Sequence, residues 1–187
     1  MSRTYLASGS RHIVYREGDY VVKVPHGNLK ISLTRAQSSV DFFRKYLSDF
    51  SAGTELIPSG RDSYTIYQEY IPGTPLGEYL TENNNISPQI RSLIQSFSLR
   101  ALLIYRELGI TFDILGKQSG ISHEIGWRNC TNIVVCPDEK IKFVDTVDFS
   151  KSLLQNKRTN NLLQLLLPGR KKRVTLLMKL HSKSGNI

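Results

Sequence analysis

A cluster of turn-forming residues, Pro72-Gly73-Thr74-Pro75, separates two parts of this chain that have different periodicities. Proline and glycine interrupt regular structure, so the cluster is typical of a linker. Before it, short β-branched and aromatic runs alternate in the way strands do, and one helical pattern interrupts them. The predicted strands cover residues 4–7, 13–16, 20–24, 56–58 and 64–70, and the predicted helix runs from Ser32 or Thr34 to about Phe50.

The part after the linker is mainly helical in its pattern. Ser87 suits the cap of a helix that has Pro88 at its first position and ends at Gly109. A short hairpin is predicted from residues 133–135 and 141–144. A strand-rich half followed by a helix-rich half predicts an α+β fold, and 187 residues suit one domain or two small lobes.

The formal net charge of +9 lies entirely at the C-terminal end. Residues 149–187 contain nine of the 25 basic side chains and none of the 16 acidic ones. Such a segment attracts phosphates, acidic protein surfaces or anionic lipid, so an acidic or phosphate-bearing partner is predicted to bind through residues 151–183. Alternatively, the leucines here close a helical lobe and the basic side chains form a solvated face. No aromatic residue follows Phe149, which disfavours base stacking on nucleic acid.

The sequence predicts neither a membrane span nor a secretory signal. The longest apolar run, residues 162–167, contains a glutamine and is far shorter than the roughly 20 residues that cross a bilayer. The N-terminus lacks the pattern of a secretory signal, so a cytoplasmic protein is predicted, with delivery into a host cell by a specialised system left open. Cys130 and Cys136 are interpreted as reduced thiols, because two cysteines form no disulfide framework.

One lysine stands inside an otherwise apolar predicted strand, at Tyr20-Val21-Val22-Lys23-Val24. Burying an unpaired ammonium group is unfavourable, so Lys23 either faces solvent on an edge strand or has an anionic partner. The turn between the first two strands, Ser8-Gly9-Ser10, offers a glycine and two hydroxyls that suit close approach of phosphate oxygens. Together the two features favour a bound phosphate group.

Two oxygen-bearing side chains flank the predicted hairpin. Asn132 comes directly before its first strand, and Asp145 stands 13 residues later, after its second strand. Because paired strands bring their open ends together, we expect both side chains at one end of the hairpin. A hard cation such as Mg²⁺ prefers oxygen ligands, so the spacing predicts a metal site. The alternative is an ordinary hairpin flanked by polar residues.

These motifs resemble those of protein kinases and aminoglycoside phosphotransferases, over residues 4–150, and the spacing between Asn132 and Asp145 is the one that this superfamily has. The resemblance implies a two-lobed protein-kinase-like fold, with a β-rich N-lobe at residues 1–71 and a reduced helical C-lobe at residues 72–187. It also implies ATP and Mg²⁺ as cofactors. The chain is loosely similar, too, to the bacterial YrbL family and to small effector kinases of pathogens.

The resemblance assigns a role to each position that carries it. The strand and turn at residues 66–76 are similar to the hinge that contacts adenine in that superfamily. The implied contacts are, in chain order, the nucleotide phosphates at Ser8, Gly9, Ser10 and Lys23, the adenine at the backbone of Glu69 and Ile71, and magnesium at Asn132 and Asp145. Lys23 and Asp145 are also the implied catalytic residues.

The position where the superfamily has its catalytic aspartate, five residues before Asn132, is Trp127. Glu124 is the predicted substitute for this base, and Asp113 and His123 are alternatives, although none has the spacing of the superfamily. Retained nucleotide binding with slow or absent phosphate transfer is the resulting expectation. Transfer of a nucleotidyl group is a further possibility.

Two smaller departures concern the neighbours of Lys23 and Asp145. The helix after Lys23 contains no glutamate, so Asp41 is the nearest acidic residue able to pair with the lysine. Asp145 is followed by Thr146-Val147, where the superfamily has phenylalanine and glycine.

Three functions therefore stay open from the sequence. The first is a minimal kinase-like protein that binds Mg–ATP and modifies a protein or a small-molecule acceptor. The second is a catalytically inactive pseudokinase that acts as a regulatory binding module. The third is a basic protein that binds nucleic acid.

Overall fold

The computed structural model describes residues 2–8, 12–26, 31–60, 63–83, 85–114, 130–147, 149–151 and 178. In chain order the elements within these ranges are β1 (Thr4–Ser8), β2 (His12–Glu17), β3 (Tyr20–Pro25), α1 (Leu33–Tyr46), β4 (Thr54–Pro58), β5 (Tyr64–Glu69), β6 (Thr74–Pro75), α2 (Leu76–Glu82), α3 (Pro88–Leu108), β7 (Ile110–Phe112), β8 (Ile133–Val135), β9 (Ile141–Phe143) and β10 (Phe149–Lys151). This mixture of helices and antiparallel strands is of the predicted α+β class.

The chain divides into two units. Unit 1 comprises Met1–Ile71 together with Thr146–Asp148, and unit 2 comprises Pro72–Asp145 together with Phe149–Ile187. The membership of residues 146–148 in unit 1 was not predicted, because no local pattern in those three residues points to a distant partner. The predicted linker at residues 72–75 is also more regular than expected, since its last two residues form β6 and lead directly into α2.

Unit 1 is built on a five-stranded antiparallel sheet in the order β1-β2-β3-β5-β4. β2 and β3 form the predicted hairpin, in which Glu17 lies opposite Tyr20 and Gly18 adopts the left-handed φ of 60° that the turn requires. β3 pairs with β2 on one side and with β5 on the other. It is therefore the central strand of this sheet.

α1 packs on this sheet and begins where its sequence indicates. The Ser32 side chain accepts a hydrogen bond from the Arg35 N–H, which satisfies a donor that the first helical turn leaves open. The helix ends at Tyr46 and not near Phe50, because Leu47 leaves the helical conformation with φ −134°. An interior cluster of unit 1 comprises Ile31, Ala36, Tyr64, Ile66 and Val147. The residues around Asp145 thus contribute to the apolar interior of unit 1 through Val147.

In unit 2, both ends of α3 confirm the predicted signals. The Ser87 side chain accepts a hydrogen bond from the Ile90 N–H, and Pro88 is the first helical residue. Gly109 ends the helix with φ 64° and donates its N–H to the Tyr105 carbonyl.

Three aromatic rings join the elements of unit 2. Phe97 of α3 lies 6.0 Å from Phe112 of β7 and 6.2 Å from Phe143 of β9, measured between ring centroids. Phe112 and Phe143 are 5.2 Å apart. All three side chains are buried, so this cluster holds the β8–β9 hairpin against the long helix.

Gly73 lies where only glycine fits. β6 pairs with β8, with Thr74 opposite Val135, and Gly73 stands just before this pairing at φ 149°. A Cβ atom at position 73 would lie 2.1 Å from the Val135 carbonyl oxygen, well inside contact distance. A side chain here would have to push apart the β6 and β8 backbones.

We expect Gly73→Ala to destabilise the chain by about 2–4 kcal/mol, because it adds both a backbone clash and an unfavourable φ. The measurement is the free energy of unfolding from urea titration. Gly60→Ala is the matched control, because its Cβ would meet only the Ser63 Cβ at an ordinary 3.7 Å. Equal stability of the two variants would contradict the close approach at residue 73.

Candidate functional site

Lys23 lies on the central strand of unit 1, so the alternative of an edge-strand lysine is wrong. It is half-buried and pairs with Val14 on one side and Ile66 on the other. Residues directly opposite each other in antiparallel strands point to the same face of a sheet. The Lys23 side chain therefore shares a face with Ile66, which belongs to the interior cluster beneath α1.

The predicted partner of Lys23 on α1, Asp41, is exposed. Its carboxylate accepts a hydrogen bond of 3.0 Å from Gln37 and lies 3.7 Å from Arg44, both on the same helix. Such contacts are typical of side chains one helical turn apart. They give Asp41 a local role on the helix surface.

The predicted phosphate loop is only partly described. Ser8 is the last residue of β1, is exposed, and pairs with Ile13. Gly9 and Ser10 lie outside the described residues. Their contact with phosphate stays a prediction.

At the predicted hinge, Glu69 is the last residue of β5 and Ile71 is half-buried. Glu69 forms two hydrogen bonds with Gly53. Its N–H donates to the Gly53 carbonyl at 2.8 Å, and its carboxylate accepts from the Gly53 N–H at 3.1 Å. A backbone contact from Glu69 to adenine would therefore have to use the carbonyl oxygen of Glu69.

Asn132 and Asp145 lie at the same end of the β8–β9 hairpin. The predicted hairpin is present, and Ile133 lies opposite Phe143 in it. One further hydrogen bond of 2.9 Å runs from the Val144 N–H to the Asn132 carbonyl. Since Asp145 follows Val144, both oxygen-bearing side chains start from the open end of one ribbon, as the sequence predicted.

The side-chain amide of Asn132 has a defined orientation. Its Nδ2 donates a hydrogen bond of 2.8 Å to the backbone carbonyl of Asp113, in the turn after β7. Because a carbonyl can only accept, this bond fixes which atom of the amide is nitrogen. The amide oxygen Oδ1 consequently does not face the Asp113 carbonyl.

Asp113 is one of the three residues that the sequence offered as a substitute for the catalytic base, and the structure describes it. It is half-buried and lies beside Asn132 through the hydrogen bond just described. Burial and, to a smaller extent, the negative charge of Asp113 raise the pKa of the Cys130 thiol to about 12, so the carboxylate also lies near Cys130. Asp113 precedes Asn132 by 19 residues, so it does not have the spacing of the superfamily base.

The other predicted substitutes lie outside the described residues. These are Glu124, His123 and the Trp127 position itself. Within the basic segment 151–183, only the backbone of Lys151 and the residue Met178 are described, so a partner surface there stays a prediction.

Thr146, which follows Asp145, belongs to a polar cluster that sequence reasoning missed. The cluster comprises Thr54, Gln68 and Thr146, all buried in unit 1. The two threonine hydroxyls are 2.8 Å apart, and Gln68 Nε2 donates to both of them. Each residue alone resembles an ordinary strand or loop residue, so no local signal indicated the cluster.

In the part of the chain that is described, no group of three or more His, Cys, Asp or Glu side chains is arranged to hold a metal ion. A magnesium site of the predicted kind does not require one, because Mg²⁺ usually takes one or two protein oxygens and completes its shell with water and phosphate. Across the same residues, no helix is both long and apolar enough to cross a membrane.

No known protein-family model matches this chain, and no curated protein matches it significantly. The likeness to kinases therefore depends on the motif residues alone.

At pH 8.5 we expect a thiol reagent such as Ellman's to modify Cys136 in the folded chain and to spare Cys130. The buried Cys130 thiol keeps its proton well above this pH, and only the thiolate reacts. Because its folded pKa is raised, this thiol stabilises the fold less as pH rises above the unfolded value near 8.5. Cys136→Ser should react only after unfolding in guanidinium. Rapid reaction of that variant when folded would contradict the burial of Cys130.

Proposed function

We propose that this chain is a kinase-like protein that binds Mg–ATP and transfers a phosphoryl group to a hydroxyl or amine of a protein or small molecule. The observation that carries the proposal is the open end of the β8–β9 hairpin, where Asn132 and Asp145 start from adjoining strand positions. A carboxylate and an amide oxygen form a hard donor set, which suits magnesium and not a soft metal.

Asn132 and Asp145 would hold the metal ion. Their roles are supported by anchoring on both strands, because Val144 is bonded to the Asn132 carbonyl and the Asn132 amide is bonded to Asp113. When bound, magnesium would neutralise charge on the nucleotide phosphates.

Lys23 would bind the phosphates of the nucleotide. Its position on a central strand supports this role, because a strand that is paired on both sides holds the Lys23 backbone rigidly. The turn that starts at Ser8 would add backbone and hydroxyl donors. Glu69 and Ile71 would contact the adenine through their backbone groups.

Asp113 would orient the acceptor. In the proposed step, the acceptor oxygen or nitrogen forms a bond to the γ-phosphorus while the bond from that phosphorus to the bridging oxygen of ADP breaks. The proton of the acceptor passes to the Asp113 carboxylate, and ADP leaves. The hydrogen bond from Asn132 to the Asp113 backbone carbonyl supports this role, because it brings residue 113 next to a proposed metal ligand.

We expect Mg–ATP to raise the melting temperature of the wild type. At a hundredfold excess over Kd, a ligand that binds only the folded chain raises the free energy of unfolding by about 2.7 kcal/mol. Asp145→Ala and Lys23→Ala should lose this shift. The control is Asp138→Ala, an acidic residue in the exposed turn at the other end of the same hairpin, which should keep it. Stabilisation by RNA with a steep salt dependence, and none by Mg–ATP, would favour nucleic-acid binding instead.

We expect transfer of label from γ-labelled ATP to an acceptor, and Asp113→Asn should slow this transfer about a hundredfold or more. ATP affinity should stay unchanged, because the contact with Asn132 uses the Asp113 backbone carbonyl, which the substitution keeps. Glu124→Gln serves as the comparison and should transfer normally. Label only from α-labelled ATP would indicate nucleotidyl transfer. Nucleotide binding without any transfer would indicate a pseudokinase.

A further inference from the structure

We propose that the buried cluster of Thr54, Gln68 and Thr146 is a positioning device that sets the orientation of Asp145 for magnesium. This inference rests on the proposed function, in which Asp145 is a metal ligand. It assigns a task to three residues in unit 1, none of which would touch the metal or the nucleotide themselves.

The three side chains form a closed set of hydrogen bonds. Gln68 Nε2 donates to Thr54 Oγ1 at 2.9 Å and to Thr146 Oγ1 at 3.3 Å. The two hydroxyl oxygens are 2.8 Å apart, and Thr54 Oγ1 also donates to the Ala52 carbonyl at 3.1 Å. The residues are 8%, 2% and 1% exposed in the order Thr54, Gln68 and Thr146. The three side chains are thus almost entirely covered by protein.

The number of available hydrogens determines which hydroxyl group donates in each hydrogen bond of this cluster. A hydroxyl group has one hydrogen, and that of Thr54 is donated to the Ala52 carbonyl. The bond between the two threonines must therefore be donated by Thr146. The two threonine oxygens are only 2.8 Å apart, so they share one N–H of the Gln68 amide. Moving Thr146 would leave buried donors and acceptors unsatisfied, so its side chain has one strongly preferred position.

The chain transmits this constraint to Asp145 directly, because Thr146 is the next residue. Thr146 is held by the cluster within unit 1. The peptide group between Asp145 and Thr146 is therefore held with it, which limits the backbone dihedral angles open to Asp145.

Packing alone does not hold Thr146. A cavity of about 160 Å³ adjoins the cluster, and its lining includes Val40, Phe43, Ala52, Thr54 and Thr146. Side chains beside a void lose contacts on that side and can move into it. The hydrogen bonds are therefore what keeps Thr146 in place, and this is why a hydroxyl at position 146 should matter for the neighbouring carboxylate.

The test compares two substitutions of one residue. Thr146→Val keeps the shape of the side chain and removes the hydroxyl, whereas Thr146→Ser keeps the hydroxyl. The measurement is the magnesium midpoint, the magnesium concentration at which ATP binding is half-maximal. It is made at a temperature below the melting temperature of each variant. We expect Thr146→Val to raise this midpoint about tenfold, the usual effect of losing one buried hydrogen bond. Thr146→Ser should stay within about twofold of the wild type. ATP affinity in EDTA should be equal in all three chains.

Val147→Ala is the control for a purely structural effect. Val147 is buried beside Thr146 but takes no part in the hydrogen-bonded cluster, so its truncation should lower the melting temperature and leave the magnesium midpoint unchanged. If Thr146→Val behaves in the same way as Val147→Ala, the cluster has only a structural role and the inference is wrong.

Two further outcomes separate this inference from the proposed function. A wild type that binds no Mg–ATP overturns the proposed function, and the inference with it. A wild type that binds Mg–ATP, with an unchanged midpoint in Thr146→Val, overturns the inference alone. If Thr146→Val does not fold, Gln68→Met removes the hydrogen bond that Thr146 accepts, with little change in volume, and should raise the midpoint similarly. An unchanged midpoint in Gln68→Met also overturns the inference.

Discussion

The hydrogen bond from Val144 to the Asn132 carbonyl holds the open end of the β8–β9 hairpin together, and the candidate site depends on it. Without it, two residues that are far apart in the chain would diverge from the last paired position. With it, Asn132 and the residue before Asp145 lie across a single strand spacing of about 4.8 Å. The Asp113 carbonyl then orients the Asn132 amide. At this end of the ribbon the Asn132 side chain therefore has a fixed orientation.

Unit 1 contributes a different kind of constraint. Its central strand carries Lys23 toward the face that also bears Ile66, and a buried polar cluster lies on β4 and β5 of the same sheet. An apolar interior would stabilise this unit without help from Thr54 and Gln68, so stability alone does not account for them. Directional hydrogen bonds add what apolar packing lacks, namely one preferred position for each atom. A single preferred position of Thr146 would help to orient Asp145, which precedes it.

Asp113 and Asn132 show that residues far apart in sequence can be neighbours in space. They are separated by 19 residues along the chain, whereas the superfamily interval of five residues points to Trp127. In the fold, β7 ends beside the start of the β8–β9 hairpin, and the Asn132 amide donates a hydrogen bond to the Asp113 carbonyl. A rule based on a fixed sequence interval cannot detect such a contact.

The sequence by itself determined the local elements of this protein. Turn residues and alternating strands gave both hairpins, and Ser32, Ser87 and Gly109 marked helix ends, because each of these signals acts over a few neighbouring residues. The tertiary structure alone decided that β3 is central, that residues 146–148 belong to unit 1, and that Thr146 meets Thr54 across 92 residues and Gln68 across 78. Such contacts depend on which apolar surfaces can be buried together and on which polar groups can then form hydrogen bonds. No short stretch of sequence contains that information.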